Sequence, residues 1–177
     1  VTDKNQLSVA EAEELASQIR INIAFEQMVV SVLTGALSGG AMILALNLAR
    51  MVLNDLSFTA LVSTLLETVF VAISIFLVGF FTSVAIGAPL FAALEKRKRR
   101  TLWPYLTTAI VVAIVMYLFS VGGLPSAGDL RLEALLVIFA PAIIIALTFA
   151  RLMKPHWLAA QKAEEAAAAG PVYFRLH

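Results

Sequence analysis

The sequence predicts an all-α polytopic membrane protein: a four-transmembrane-helix bundle with an amphipathic cytoplasmic N-terminal helix and an Ala-rich C-terminal helix. Three observations predict it. Of 177 residues, 60% are hydrophobic and only 14% charged, with a mean hydropathy of +0.90, whereas a soluble domain carries charge on about a quarter of its residues. The charges are segregated, leaving four long uncharged intervals. Finally, five consecutive cations, Lys96, Arg97, Lys98, Arg99 and Arg100, stand between two of those intervals. Such a run is expected to remain in water while both flanks favour lipid, which marks a cytoplasmic turn between two spans.

The uncharged intervals hold 23 residues between Glu26 and Arg50, 27 between Glu67 and Glu95, 28 between Arg100 and Asp129, and 17 between Glu133 and Arg151. About 20 apolar residues cross a bilayer as a helix, so each interval is read as one span, at about 28–49, 68–94, 102–121 and 134–150. The chain is thereby divided into a cytoplasmic amphipathic segment (1–26), a four-span membrane domain (27–154), and a cytoplasmic C-terminal helix and tail (155–177). Of the 13 basic residues, 11 fall on one side when both termini are cytoplasmic, and only Arg50 and Arg131 on the other. The expected location is integral to a cell membrane, of the bacterial inner-membrane kind. Trp103, Tyr105 and Trp157 fall where an aromatic belt at the cytoplasmic interface belongs, and Gly122, Gly123, Pro125 and Gly128 form the opposite, outer turn.

In the N-terminal segment Ser8 and Glu11 read as a capping box, and Ala12, Leu15, Ala16, Ile19 and Ile23 fall on one helical face. This helix lies on the membrane surface, docks on a partner, or continues into the first span. Acidic residues precede any apolar run, the wrong order for a cleavable signal peptide. Between the first two spans, Phe58, Leu61, Val62, Leu65 and Val69 share another helical face, with Asp55 or Ser57 as candidate caps. Joined to the second span, this stretch makes a helix too long for the hydrocarbon core, so a protruding outer segment is expected, with a bend near Gly87 and Pro89. Pro155 suits a first helical position, the stretch 158–169 has high helix propensity, and Gly170-Pro171 ends it. The tail 172–177 is apolar enough to pack on the bundle or on another subunit.

Helix contacts are expected along rows of small residues. Ser31, Gly35 and Gly39 recur every four residues in the first span, and Gly79, Ser83 and Gly87 do so in the second. Lipid supplies little hydrophobic drive between helices, so close backbone approach along such rows provides the contact.

Chemistry is sparse. The chain has no cysteine and two histidines, His156 and His177, neither in a span nor at metal-site spacing to carboxylates. Ala36-Leu37-Ser38-Gly39 is faintly similar to the serine motif of intramembrane rhomboid proteases, but Ala36 replaces the family's glycine and no span holds a histidine to act as base. The chain is similar to the small permease subunits of tripartite solute transporters in length and span number alone. No enzyme activity, cofactor, metal or nucleic-acid partner is expected. Glu67 is the one carboxylate near enough to a span to serve transport, its alternative being an interfacial site beside Arg50. The expected role is a non-enzymatic accessory or scaffolding subunit of a larger membrane complex, with membrane lipids and other membrane subunits, or further copies of itself, as partners. The alternative is a small homo-oligomeric carrier or channel for a solute or ion, its path lined by hydroxyls such as Thr34, Ser38, Ser74, Thr82, Ser83, Thr107, Thr108 and Thr148.

Overall fold

A computed structural model describes residues 9–54, 57–120 and 132–168. The capping-box Ser8, the outer turn at 122–128 and the tail beyond Gly170 lie outside them.

Four helical segments are long and apolar enough to cross a membrane. The first, α1 (Val9–Asn54), runs unbroken for 46 residues, about 69 Å at 1.5 Å per residue. The N-terminal amphipathic segment and the first apolar interval are therefore one helix. Ala24, Met28, Ser31 and Val32 are buried, at the i, i+4, i+7, i+8 spacing of a helix face, and Gly35, Ala36, Gly39 and Gly40 continue the burial further along. Leu15 and Ile19, from the predicted apolar stripe, remain 50% exposed.

The second apolar segment begins at α2 (Phe58–Thr82), where the Ser57 hydroxyl accepts the Ala60 N–H at 3.2 Å. This cap satisfies one of the orphan donors of a helix start. The helix continues through Glu67 into a π-helical turn (Ser83–Gly87) and then α3 (Ala88–Lys96), so Phe58 to Lys96 is continuous over 39 residues. Pro89 has no N–H to donate to the Ala85 carbonyl, and the wider turn just before it carries an Ala88 N–H bond back to the Ser83 carbonyl.

The basic turn is closed by backbone geometry. Arg97 ends α3, Lys98 takes the left-handed conformation (φ 54°), the Lys98 N–H donates to the Glu95 carbonyl at 3.0 Å and the Arg99 N–H to the Leu94 carbonyl at 2.9 Å. These two bonds make a Schellman cap with lysine where glycine is usual. The reversal returns the chain so that Arg100 comes back against Glu95.

After the turn come α4 (Trp103–Ser120) and α5 (Leu132–Ala168), the latter 37 residues long with Pro141 and Pro155 inside it. Pro155 thus departs from the expected helix start. Met153, Trp157 and Ala160 on either side of it are buried, and this tertiary packing holds the helix together across a residue that cannot donate its backbone bond.

In space α1 lies against α2 and α5, and α4 lies against α5. The arrangement is an open arc, α2–α1–α5–α4. Its best-packed region is the end carrying the basic turn, where Ala24 and Met28 of α1 and Phe91 of α3 meet Tyr105 of α4 and Phe149, Met153 and Trp157 of α5. Tyr105 stacks on Trp157 at 5.9 Å and lies 5.1 Å from Phe149, while Phe91 meets Phe149 edge-on at 6.2 Å. Tyr105 and Trp157 are therefore core residues rather than members of a peripheral aromatic belt. Only Trp103 of the three is exposed.

The small-residue rows face several partners. A Cβ on Gly35 would collide with Ile145 of α5 and sit 3.1 Å from the Pro141 carbonyl oxygen. One on Gly39 would meet Ile75 of α2 and, at 3.0 Å, Pro141. Gly79 looks back at Val32 of α1 (3.1 Å) and Ile145 (3.4 Å), and Gly87 has room beside Met28. Gly40, outside either row, lies close to Ala72.

Candidate functional site

The arc encloses two features, a buried ionic cluster at the basic end and an apolar cleft that opens between α2 and α4.

The ionic cluster centres on Glu95, whose side chain is 4% exposed. Arg20 of α1 donates from Nε to Glu95 Oε1 at 2.6 Å. Arg100 donates to both oxygens, from Nε to Oε2 at 3.3 Å and from Nη2 to Oε1 at 3.0 Å, and the same Nη2 reaches Glu164 of α5 at 2.9 Å. Lys98 Nζ lies 3.9 Å from Glu164. Arg100, with its side chain 2% exposed, contradicts the expectation that all five cations stay in water. Two carboxylates replace its solvent, leaving only Nη1 buried without a partner. Burial works against the charged form of Glu95, but hydrogen bonds from Arg100 and Arg20 outweigh it and hold the carboxyl below its ordinary pKa. The Arg100 guanidinium is likewise disfavoured by burial, and its bonds to Glu95 and Glu164 more than compensate, raising its pKa. These groups lie beyond the ends of the uncharged intervals.

The cleft has a volume of about 470 Å³, within the range of small-molecule sites. Phe70, Ser74 and Val78 stand on its α2 wall, Thr108, Ala109 and Val112 on its α4 wall, and α1 and α5 form the floor. Gly79, Ser83 and Gly87 border it. Its hydroxyls make few demands. Ser31 donates to the Gln27 carbonyl, Ser74 to Phe70, Thr108 to Pro104 and Ser120 to Tyr117, each within its own helix. Of the hydroxyls expected along a polar path, Ser74, Thr82, Ser83 and Thr108 line this cleft; Thr34 and Thr107 are exposed and bond their own helices.

At the end remote from the basic turn, a second cavity of about 270 Å³ adjoins the cleft, sharing Ser120, Val137 and Ile138 with it. Asn47, Arg50 and Glu67 line this mouth. Asn47 Nδ2 donates to Glu67 Oε2 at 2.9 Å, and Arg50 Nη1 donates to Asn47 Oδ1 at 3.4 Å. Glu67 and Arg50 are thus joined through one amide rather than paired directly.

The Asn47–Glu67 bond and the Arg20–Glu95–Arg100–Glu164 cluster were not legible as pairs in the sequence. The one available signal was Glu95 itself, a carboxylate at the end of an apolar interval and next to the cations. Among the described residues, no three His, Asp or Glu side chains come together as a metal site.

Fold and sites together define a helical protein with four membrane-length segments, an ion-paired base and a side cleft. No family model matches the chain, and no curated protein or solved structure matches it.

Proposed function

We propose that the chain is an integral membrane protein with both termini cytoplasmic, and that it serves as a non-catalytic accessory or scaffolding subunit of a larger membrane assembly. One observation carries this reading. In the most apolar 18-residue window of the Phe58–Lys96 segment none of the residues is buried by the chain itself, against 33%, 17% and 22% in the other three membrane-length segments. The segment rests on α1 and leaves Leu66, Ile73, Leu77 and Phe81 as an uncovered stripe on its far side, a surface suited to a helix of another subunit. The buried ionic groups favour the same reading, because they tie α1, α3, the basic turn and α5 together instead of facing the cleft.

Mild-detergent purification followed by cross-linking from single cysteines at Ile73 or Phe81 tests it. A defined membrane protein joined at both positions supports the subunit role. Absence of any stable protein partner in the native membrane overturns it.

A second reading, a small carrier or channel, is favoured by one specific observation, the Glu67 carboxylate on a cavity that shares Ser120, Val137 and Ile138 with the cleft. It expects proton or cation flux in liposomes reconstituted with the wild type and its loss in Glu67→Gln.

A further inference from the structure

We infer that the cleft between α2 and α4 binds one acyl chain of a zwitterionic phospholipid whose head group carries a primary ammonium, with that ammonium on Glu67. This goes beyond the subunit reading and stands on separate residues.

The cleft matches a hydrocarbon ligand. Its walls are almost wholly apolar side chains, and four of its hydroxyls are satisfied within their own helices. Among the described residues, the lining hydroxyls left without a hydrogen bond are those of Thr82, Ser83 and Tyr105, so most of the wall makes no demand for a polar partner. Along α4 the lining runs from Ser120 to Tyr105, about 22 Å at 1.5 Å per residue, against about 15 Å for half of a 30 Å hydrocarbon core. A lining of that length makes the cleft an elongated slot, suited to a chain better than to a compact solute. It opens between two membrane-length helices, so a chain enters sideways from hydrocarbon without crossing water.

The mouth selects the head group. It adjoins one end of the slot only, and it holds a carboxylate and a guanidinium bridged by the Asn47 amide. Arg50 has a further partner of its own, so the pole that remains to complement a head group is the Glu67 carboxylate, which suits its ammonium. The Glu67 carboxylate accepts hydrogen bonds and offers none, so an N–H-bearing ammonium is favoured over a quaternary one, which has no proton to donate. The buried ionic cluster lies at the opposite end of the slot, beyond the aromatic core, and does not compete for the head group.

The test uses the full chain reconstituted in vesicles of equal phosphatidylethanolamine and phosphatidylcholine, extracted mildly, with retained lipid measured by native mass spectrometry. The wild type is expected to retain phosphatidylethanolamine over phosphatidylcholine on the order of tenfold, the effect of one charge-assisted hydrogen bond. Glu67→Gln is expected to bring the ratio close to one with total lipid unchanged, whereas Ala109→Trp, on the α4 wall, removes both lipids. Val112→Phe serves the same purpose if the tryptophan variant fails to fold. Equal retention of the two lipids by the wild type overturns the proposal, as does a preference that survives Glu67→Gln. A cysteine at Ala109 that cross-links to another polypeptide instead of to a photoactivatable lipid also overturns it, by making the slot a helix-docking groove.

Discussion

Glu95 is held between two cations, and that arrangement makes it the most consequential side chain of the basic end. An ion pair taken out of water contributes little net stability, since the desolvation of both charges offsets their attraction, but removing one partner leaves the others buried and uncompensated. Glu95→Ala is therefore expected to destabilise the protein by about 3–5 kcal/mol in a detergent denaturation series. Combining it with Arg100→Met should recover part of the loss, because the stranded guanidinium goes too. The pH dependence has a definite sign. The folded pKa of Glu95 lies below its ordinary value of 4.5, so its contribution is fully present above that value and is lost as pH falls through the folded pKa. Thermal midpoints should be flat from pH 7 to about 5.5 and decline below about 4.5, with a shallower decline in Glu95→Gln.

At the scale of elements, the cap of α3 and the glycine contacts of α1 decide how helices meet. Lys98 occupies a left-handed conformation that disfavours a Cβ by about 1–2 kcal/mol. Lys98→Gly relieves that strain while loosening the unfolded chain, so a net gain of at most about 1 kcal/mol is expected from the shift in thermal midpoint. Gly35 touches α5 rather than α2, its space being taken by Ile145 and the Pro141 carbonyl. Gly35→Leu should cost about 1–3 kcal/mol or more through overpacking. Leu37, 64% exposed on the opposite side, should accept isoleucine within about 0.5 kcal/mol. Equal sensitivity at both positions would argue against this helix pairing.

For the whole molecule, the open arc and the charge distribution make joint demands on membrane orientation. With the ionic cluster and both termini cytoplasmic, cysteines introduced at Glu14 or Lys162 should resist an impermeant thiol reagent in intact cells, while one at Ser126 should label. The native chain has no cysteine, so background labelling is absent. Reversed labelling would invert the proposed topology and place the Asn47–Glu67 mouth on the cytoplasmic side. Three of the four membrane-length segments, at 40, 39 and 34 residues, outrun a bilayer core, and only α4, at 18 residues or about 27 Å, matches it. The excess of α1 and α5 is gathered at the basic end, where Arg20 and Glu164 reach the cluster.

The sequence by itself determined the elements. Uncharged intervals bounded by charges locate four membrane-length helices, because the period and length of an apolar run are local properties of the chain. Ser57 was legible as a cap for the same reason. Tertiary structure alone decided what those helices meet. The expected helix start at Pro155 is overridden by buried Met153 and Trp157, and the expected belt residues Tyr105 and Trp157 become a stacked core. Arg100 leaves its row of solvated cations because Glu95, five positions earlier, and Glu164, 64 positions later, converge on it. Glu67 meets Asn47 across 20 positions. Such pairings depend on how helices far apart in sequence are rotated against one another, and hydropathy carries no record of that rotation. The cleft exists only because α4 packs on α5 and leaves α2 facing it across open space, so its position follows from the order α2–α1–α5–α4 rather than from any single stretch of the chain.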